Sequence, residues 1–213
     1  MLSLALAHLA VLTAVFASPV SLDRRGLSLE RVPAIAPGNA CDGFGAGAFD
    51  TAYNFTLSAF NSTLDLKGEQ LVLGQAGAID GASFAVLSTF KSYHYDDFPS
   101  LSLLQGGLKP DGDRPGSAGE VADGTEPGFI IEDNPPAPAP IYCGLASTSA
   151  HGGGTGNPQL AVNHDADSFS LCRTGTEATA QVNVVYKPTP DNFDKYIYDS
   201  CYPVKLEMVG LTD

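Results

Sequence analysis

The sequence predicts an all-β fold, a single disulfide-stapled domain of about ten short strands built as a β-sandwich or a β-trefoil-like barrel. Three observations carry that prediction. Apolar and polar residues alternate in short runs, as they do on half-buried strands. Turn formers are abundant, with 23 Gly and 15 Pro among 213 residues. No segment repeats its apolar residues at the spacing of an amphipathic helix.

The strand-like runs can be read in order. The first four are "YNFTLSAF" (53–60), "EQLVLGQ" (69–75), "SFAVLSTF" (83–90) and "SLSLLQGGL" (100–108). Then come "GFIIED" (128–133), "IYCGLAST" (141–148) and "PQLAVNH" (158–164). The last three are "SFSLCRT" (168–174), "AQVNVVYK" (180–187) and "YPVKLEMVGL" (202–211). In the first run Phe55, Leu57 and Ala59 fall on one face. In the last, Val204, Leu206 and Met208 point to a core while Lys205 and Glu207 point to water.

Two segments interrupt this rhythm. Residues 105–128 are rich in Gly, Pro and Asp and hold almost no core former, so they are expected as a solvent-exposed loop insertion in the domain 49–213. "NPPAPAP" (134–140) is a stiff extended piece, because proline fixes φ and removes a donor. An internal echo joins "LVLGQAGAIDGASFAVL" (71–87) to "QLAVNHDADSFSLC" (159–172). That echo is the reason for weighing a three-lobed trefoil against a sandwich.

The N-terminal region precedes the domain. Leu4–Phe16 is largely apolar and too short to cross a bilayer comfortably, and Val15 and Ala17 occupy the small-residue positions of a cleavage site. Residues 1–17 are therefore expected to be a signal peptide. Residues 18–25 are expected to be a pro-segment ending at the dibasic pair Arg24-Arg25, and residues 26–48 a flexible arm. A secreted location makes disulfides the default for Cys41, Cys143, Cys172 and Cys201. Three pairings are possible. Cys172 and Cys201 bracket a hairpin-like segment and are paired here, which leaves Cys41 with Cys143. Asn54-Phe55-Thr56 and Asn61-Ser62-Thr63 are sequons, making Asn54 and Asn61 candidate glycosylation sites.

Charge and motifs narrow the function. A net charge of −13 repels nucleic-acid backbones and anionic headgroups, so neither nucleic acid nor, after signal cleavage, a membrane is an expected partner. No phosphate-loop, dinucleotide or G-x-S-x-G pattern is present, and "GGGTG" (152–156) reads as a turn. The stretch "NHDADSFSLC" (163–172) offers His164, Asp165 and Asp167 to a metal or a hydrolase. Asp and Asn in such a turn more commonly bond their own backbone, so neither metal nor cofactor is expected there. "YHYDDF" (93–98) offers aromatic rings beside carboxylates, which suits a sugar. Tyr93, Tyr95, Asp96 and Asp97 are the candidate carbohydrate-binding residues, with partial burial of the rings as the competing reading.

The pattern "PQLAVNHDADSFSLC", "NVVY" and "CYPVKLEMVGL", with "QLVLGQAGAID", "SFAVLSTF" and "YDDFPSLSLLQGGL" upstream, resembles the phiA family. These are small secreted fungal cell-wall proteins named for phialide development. The resemblance covers residues 49–108 and 141–211 and implies a secreted, wall-associated, non-catalytic protein. It also supports the Cys172–Cys201 pairing. The expected partners are wall polysaccharide (chitin or glucan) or wall proteins. The alternatives are a lectin-like carbohydrate-binding module and, last, a secreted hydrolase built on His164.

Overall fold

A computed structural model describes residues 38–61, 63, 65–147 and 156–211. The expected signal peptide, the dibasic site, the first part of the arm and most of the "GGGTG" turn lie outside the described residues. Thirteen strands are linked in one sheet. They are β1 (Ala48–Phe49), β2 (Ala52–Asn61), β3 (Asp65–Ile79), β4 (Ala82–Thr89), β5 (Ser100–Leu104), β6 (Gly107–Asp111) and β7 (Gly116–Ala118). After them come β8 (Gly128–Ile131), β9 (Tyr142–Leu145), β10 (Gln159–Val162), β11 (Phe169–Arg173), β12 (Val182–Tyr186) and β13 (Tyr202–Val209). Among the described residues the one helical piece is a single 3-10 turn, Tyr198–Ser200.

Six strands close on themselves. The order is β2, β3, β4, β12, β11, β13 and back to β2, every pair antiparallel. The closing pair runs from Lys205 opposite Phe60 to Val209 opposite Thr56. A closed barrel leaves its strands no open edge. Of the two architectures expected, the barrel is the one that forms.

The alternation read from the sequence fills this barrel. Phe55, Leu57 and Ala59 of β2 and Val204, Leu206 and Met208 of β13 are buried, alongside Phe129, Phe169, Leu171, Val184 and Tyr186. Burying one large apolar side chain contributes about 1.5–3 kcal/mol. The remaining strands attach outside the ring: the β5–β6 hairpin on β2, β8 with β7 on β4, and β10 with β9 and β1 on β13.

Several expectations change. The trefoil echo is not a structural repeat. Residues 71–87 form the β3–β4 hairpin, whereas β10 and β11 do not pair with each other and both lie along β13. The segment 105–128 is not a solvated insertion. It holds β6 and β7, and Leu108, Ser117, Ala118 and Val121 are buried. Small residues are what let it pack: a Cβ at Gly116 would lie 2.5 Å from Ile131 Cδ1 and 2.7 Å from Pro110 Cγ. The end of the arm is likewise tied down, by β1 on β9 and by the Cys41–Cys143 disulfide. Glu207 does not face water. It is 6% exposed, beside the β10 pairing at Gln159, and Asn157 Nδ2 donates to its carboxylate at 3.4 Å.

The second disulfide joins Cys172 to Cys201 across 29 residues. Among the described residues no helix is long and apolar enough to cross a membrane.

Candidate functional site

The ten-residue connection between β4 and β5 carries "YHYDDF". It is not the sheet-edge strand that a flat aromatic platform would need. Pro99 ends it, and a turn begins it, in which the backbone N–H groups of Ser92 and Tyr93 both donate to Thr89 O at 3.0 Å. Tyr93 and Tyr95 have ring centroids 5.3 Å apart, tilted by 58°, so they make an angled edge. His94 sits edge-on to Phe90 at 5.8 Å.

A groove of about 550 Å³ opens beside this connection. Tyr93, Phe98 and Phe84 supply aromatic lining, and Gln75, Asp97, Asp113 and Arg114 supply polar groups. Each reaches the groove for a local reason. Gln75 and Phe84 come from the β3–β4 hairpin, at the register shift between Gln75 and Gly77. Phe98 lies over Gly112, where a Cβ would stand 2.6 Å from its ring. Arg114 Nη2 donates to Gly81 O and Ile131 O at 3.5 Å, long contacts that leave most of its donors available.

Of the four expected sugar-binding residues, the fold gathers two. Tyr93 and Asp97 line the groove. Tyr95 stands outside it, 65% exposed, and Asp96 turns to a narrow crevice beside Gln70 and Ser100. The Tyr93 hydroxyl is held above its ordinary pKa, first by partial desolvation, then by the Asp97 charge and by Tyr95. Asp113 and Arg114 were missed because they sit in the segment read as a solvated insertion. Arg114 is its one arginine, a signal that composition averaged away.

The other expected cluster has a different character. Asn163 and His164 both have positive φ, +51° and +63°, and Val162 and Asp165 exchange backbone hydrogen bonds around them. This is a tight two-residue hairpin turn. The Asp165 carboxylate accepts from Asp167 N at 2.8 Å, Ser168 Oγ at 2.6 Å and Tyr186 OH at 3.3 Å, and pairs with Lys187 at 3.8 Å. Asp167 pairs with Lys205. His164 lies 6.3 Å from the Phe44 ring. Among the described residues no three His, Cys, Asp or Glu side chains are grouped to hold a metal ion.

A third polar chain is internal. Ser88 Oγ donates to Asn183 Oδ1 at 2.6 Å, and Asn183 Nδ2 donates to Glu126 Oε1 at 2.7 Å. Burial pushes the Glu126 carboxyl up, against the opposing effects of Asn183 and Lys195. Ser88 is fully buried, so its hydroxyl meets no substrate.

The two sequons also differ. Asn54 is exposed, with a positive φ of +53° where β2 bulges against β5. Asn61 is half-buried, donating to Pro203 O and accepting from Thr63 N at 2.8 Å.

No protein-family model, curated protein or solved structure matches this chain.

Proposed function

We propose that this is a secreted, non-catalytic protein of the fungal cell wall or extracellular space that binds a glycan chain in the groove beside the β4–β5 connection. The observation that carries the reading is the lining of that groove: Tyr93, Phe84 and Phe98 beside Gln75, Asp97, Asp113 and Arg114. Sugar rings present an apolar face to aromatic carbons and a rim of hydroxyls to amides, carboxylates and guanidinium. A rigid barrel holding these groups on paired strands and short connections keeps the ordering cost of binding small. Two disulfides suit an oxidising location outside the cell.

The wall assignment rests on the resemblance to wall proteins and on the leader-like N-terminus. Chitin or β-1,3-glucan is the expected polymer.

The test is a pull-down of the mature protein on insoluble chitin, β-1,3-glucan and washed fungal walls, repeated with Tyr93→Ala and Asp97→Ala. Retention on one pure polymer, lost in both variants, supports the reading. Retention unchanged by both variants removes the groove from it. Retention on whole walls alone replaces glycan binding with anchoring through wall proteins.

A further inference from the structure

A second groove, of about 380 Å³, opens where the β4–β5 connection begins. It adjoins the first. Ser92 lines the second groove and its neighbour Tyr93 lines the first. Gln181 lies at the boundary: Ala180 and Val182 on either side of it line the second groove, while its Nε2 donates at 2.9 Å to the carbonyl of Gln75, which lines the first.

The two grooves have opposite charge. Asp97 and Asp113 outnumber Arg114 in the first, whereas Lys91 and Arg173 outnumber Glu69 in the second. In a chain of net charge −13, two cations on one concave surface are an exception to the surrounding field. Arg173 is also positioned. The Cys172–Cys201 disulfide brings Arg173 next to Ser200, and Arg173 N donates to Ser200 Oγ at 2.9 Å. Arg173 Nη2 donates to Glu177 O at 2.9 Å and Thr176 O at 3.4 Å, which anchors the guanidinium through one of its three nitrogens. Lys91 is exposed and makes no ion pair with any described residue.

We infer that the second groove is an anion subsite of the same binding surface, and that the ligand is a glycan carrying carboxylates, as uronic acid residues do. This inference rests on the glycan reading of the first groove. Neutral sugar residues lie against Tyr93 and Phe98, and a carboxylate further along the chain meets Lys91 and Arg173.

Isothermal titration calorimetry tests it with a matched pair of probes. One is the neutral chitin or β-1,3-glucan oligosaccharide, and the other is the same oligosaccharide oxidised at C6 to the carboxylate. The protein is expected to bind the carboxylated form about three- to tenfold more tightly at low salt, with the gain shrinking as ionic strength rises. Lys91→Ala and Arg173→Gln should each reduce that gain and leave neutral binding unchanged. Lys91 is a solvent-facing side chain, so its variant controls for any loosening around Arg173.

Equal or weaker binding of the carboxylated form overturns the inference while the neutral-glycan reading stands. A gain that survives both substitutions overturns it as well, because the carboxylate is then held elsewhere. Absence of binding to either form overturns both readings together.

Discussion

"NHDADS" (163–168) and "YHYDDF" (93–98) each set a histidine beside two carboxylates and hydroxyl-bearing neighbours. In the first, both carboxylates already have partners within the chain. Asp165 alone serves a backbone amide, Ser168, Tyr186 and Lys187, and Asp167 pairs with Lys205. In the second, Tyr93 and Asp97 turn towards a groove, and neither side chain makes a hydrogen bond or ion pair with a described residue. Residue type does not separate these two clusters. Spent or unspent hydrogen-bonding capacity does.

Four outcomes would break or sharpen this contrast. The largest concerns Asp165→Ala, which removes the shared acceptor of Asp167 N, Ser168 Oγ and the Tyr186 hydroxyl and unties the turn. A loss of about 3 kcal/mol is expected in chemical denaturation, since bonds to a charged acceptor contribute roughly 1.5–3 kcal/mol each and do not add fully. Asp97→Ala in the same assay should change stability by less than about 0.5 kcal/mol. Equal effects of the two would end the distinction.

Next is Tyr93→Ala, expected to weaken glycan binding by about tenfold while the melting temperature moves little. A variant that melts much earlier but still binds would make Tyr93 a packing residue.

A smaller effect is expected at His164. Its positive φ disfavours a side chain, and Asn-Gly is the preferred centre of this turn. His164→Gly should therefore stabilise by up to about 1 kcal/mol without loss of binding. Lost function on that change would restore the histidine as an active group.

The smallest effect is spectroscopic. Because Asp97 is the second cause of the raised Tyr93 pKa, Asp97→Asn should bring Tyr93 ionisation back towards pH 10 in an ultraviolet titration. Wild-type Tyr93 should lose its proton at higher pH than that, since both desolvation and a neighbouring negative charge disfavour the phenolate. An unmoved titration would mean that Asp97 does not face the ring.

Much of the fold was legible because it is written locally. Each of the ten alternating runs contains or overlaps a strand, and the inward residues of β2 and β13 are those that alternation selects. What escaped was carried by small or turn-forming residues. β7 is Gly-Ser-Ala, with no hydrophobic signal, and is buried because β8 and Pro110 close over it. Glu207 keeps the outward phase of its strand and is still covered, because burial depends on which strand lies alongside. The site was half legible. Tyr93 and Asp97 stood out as an aromatic-acidic pair, whereas Gln75, Phe84, Asp113 and Arg114 lie in other segments and gain meaning only beside them.

The sequence by itself determined most of the strands and the oxidising chemistry implied by four cysteines, since side-chain alternation and turn preference act over a few residues. Tertiary structure decided the rest. Closure of the barrel pairs Thr56–Phe60 with Lys205–Val209, across most of the chain, and strand register sets which polar side chains meet partners. Pairing over such distances depends on the summed fit of whole strands. That is why the carboxylates of the turn at Asn163 meet partners within the chain while the connection at Tyr93 turns Asp97 towards a groove.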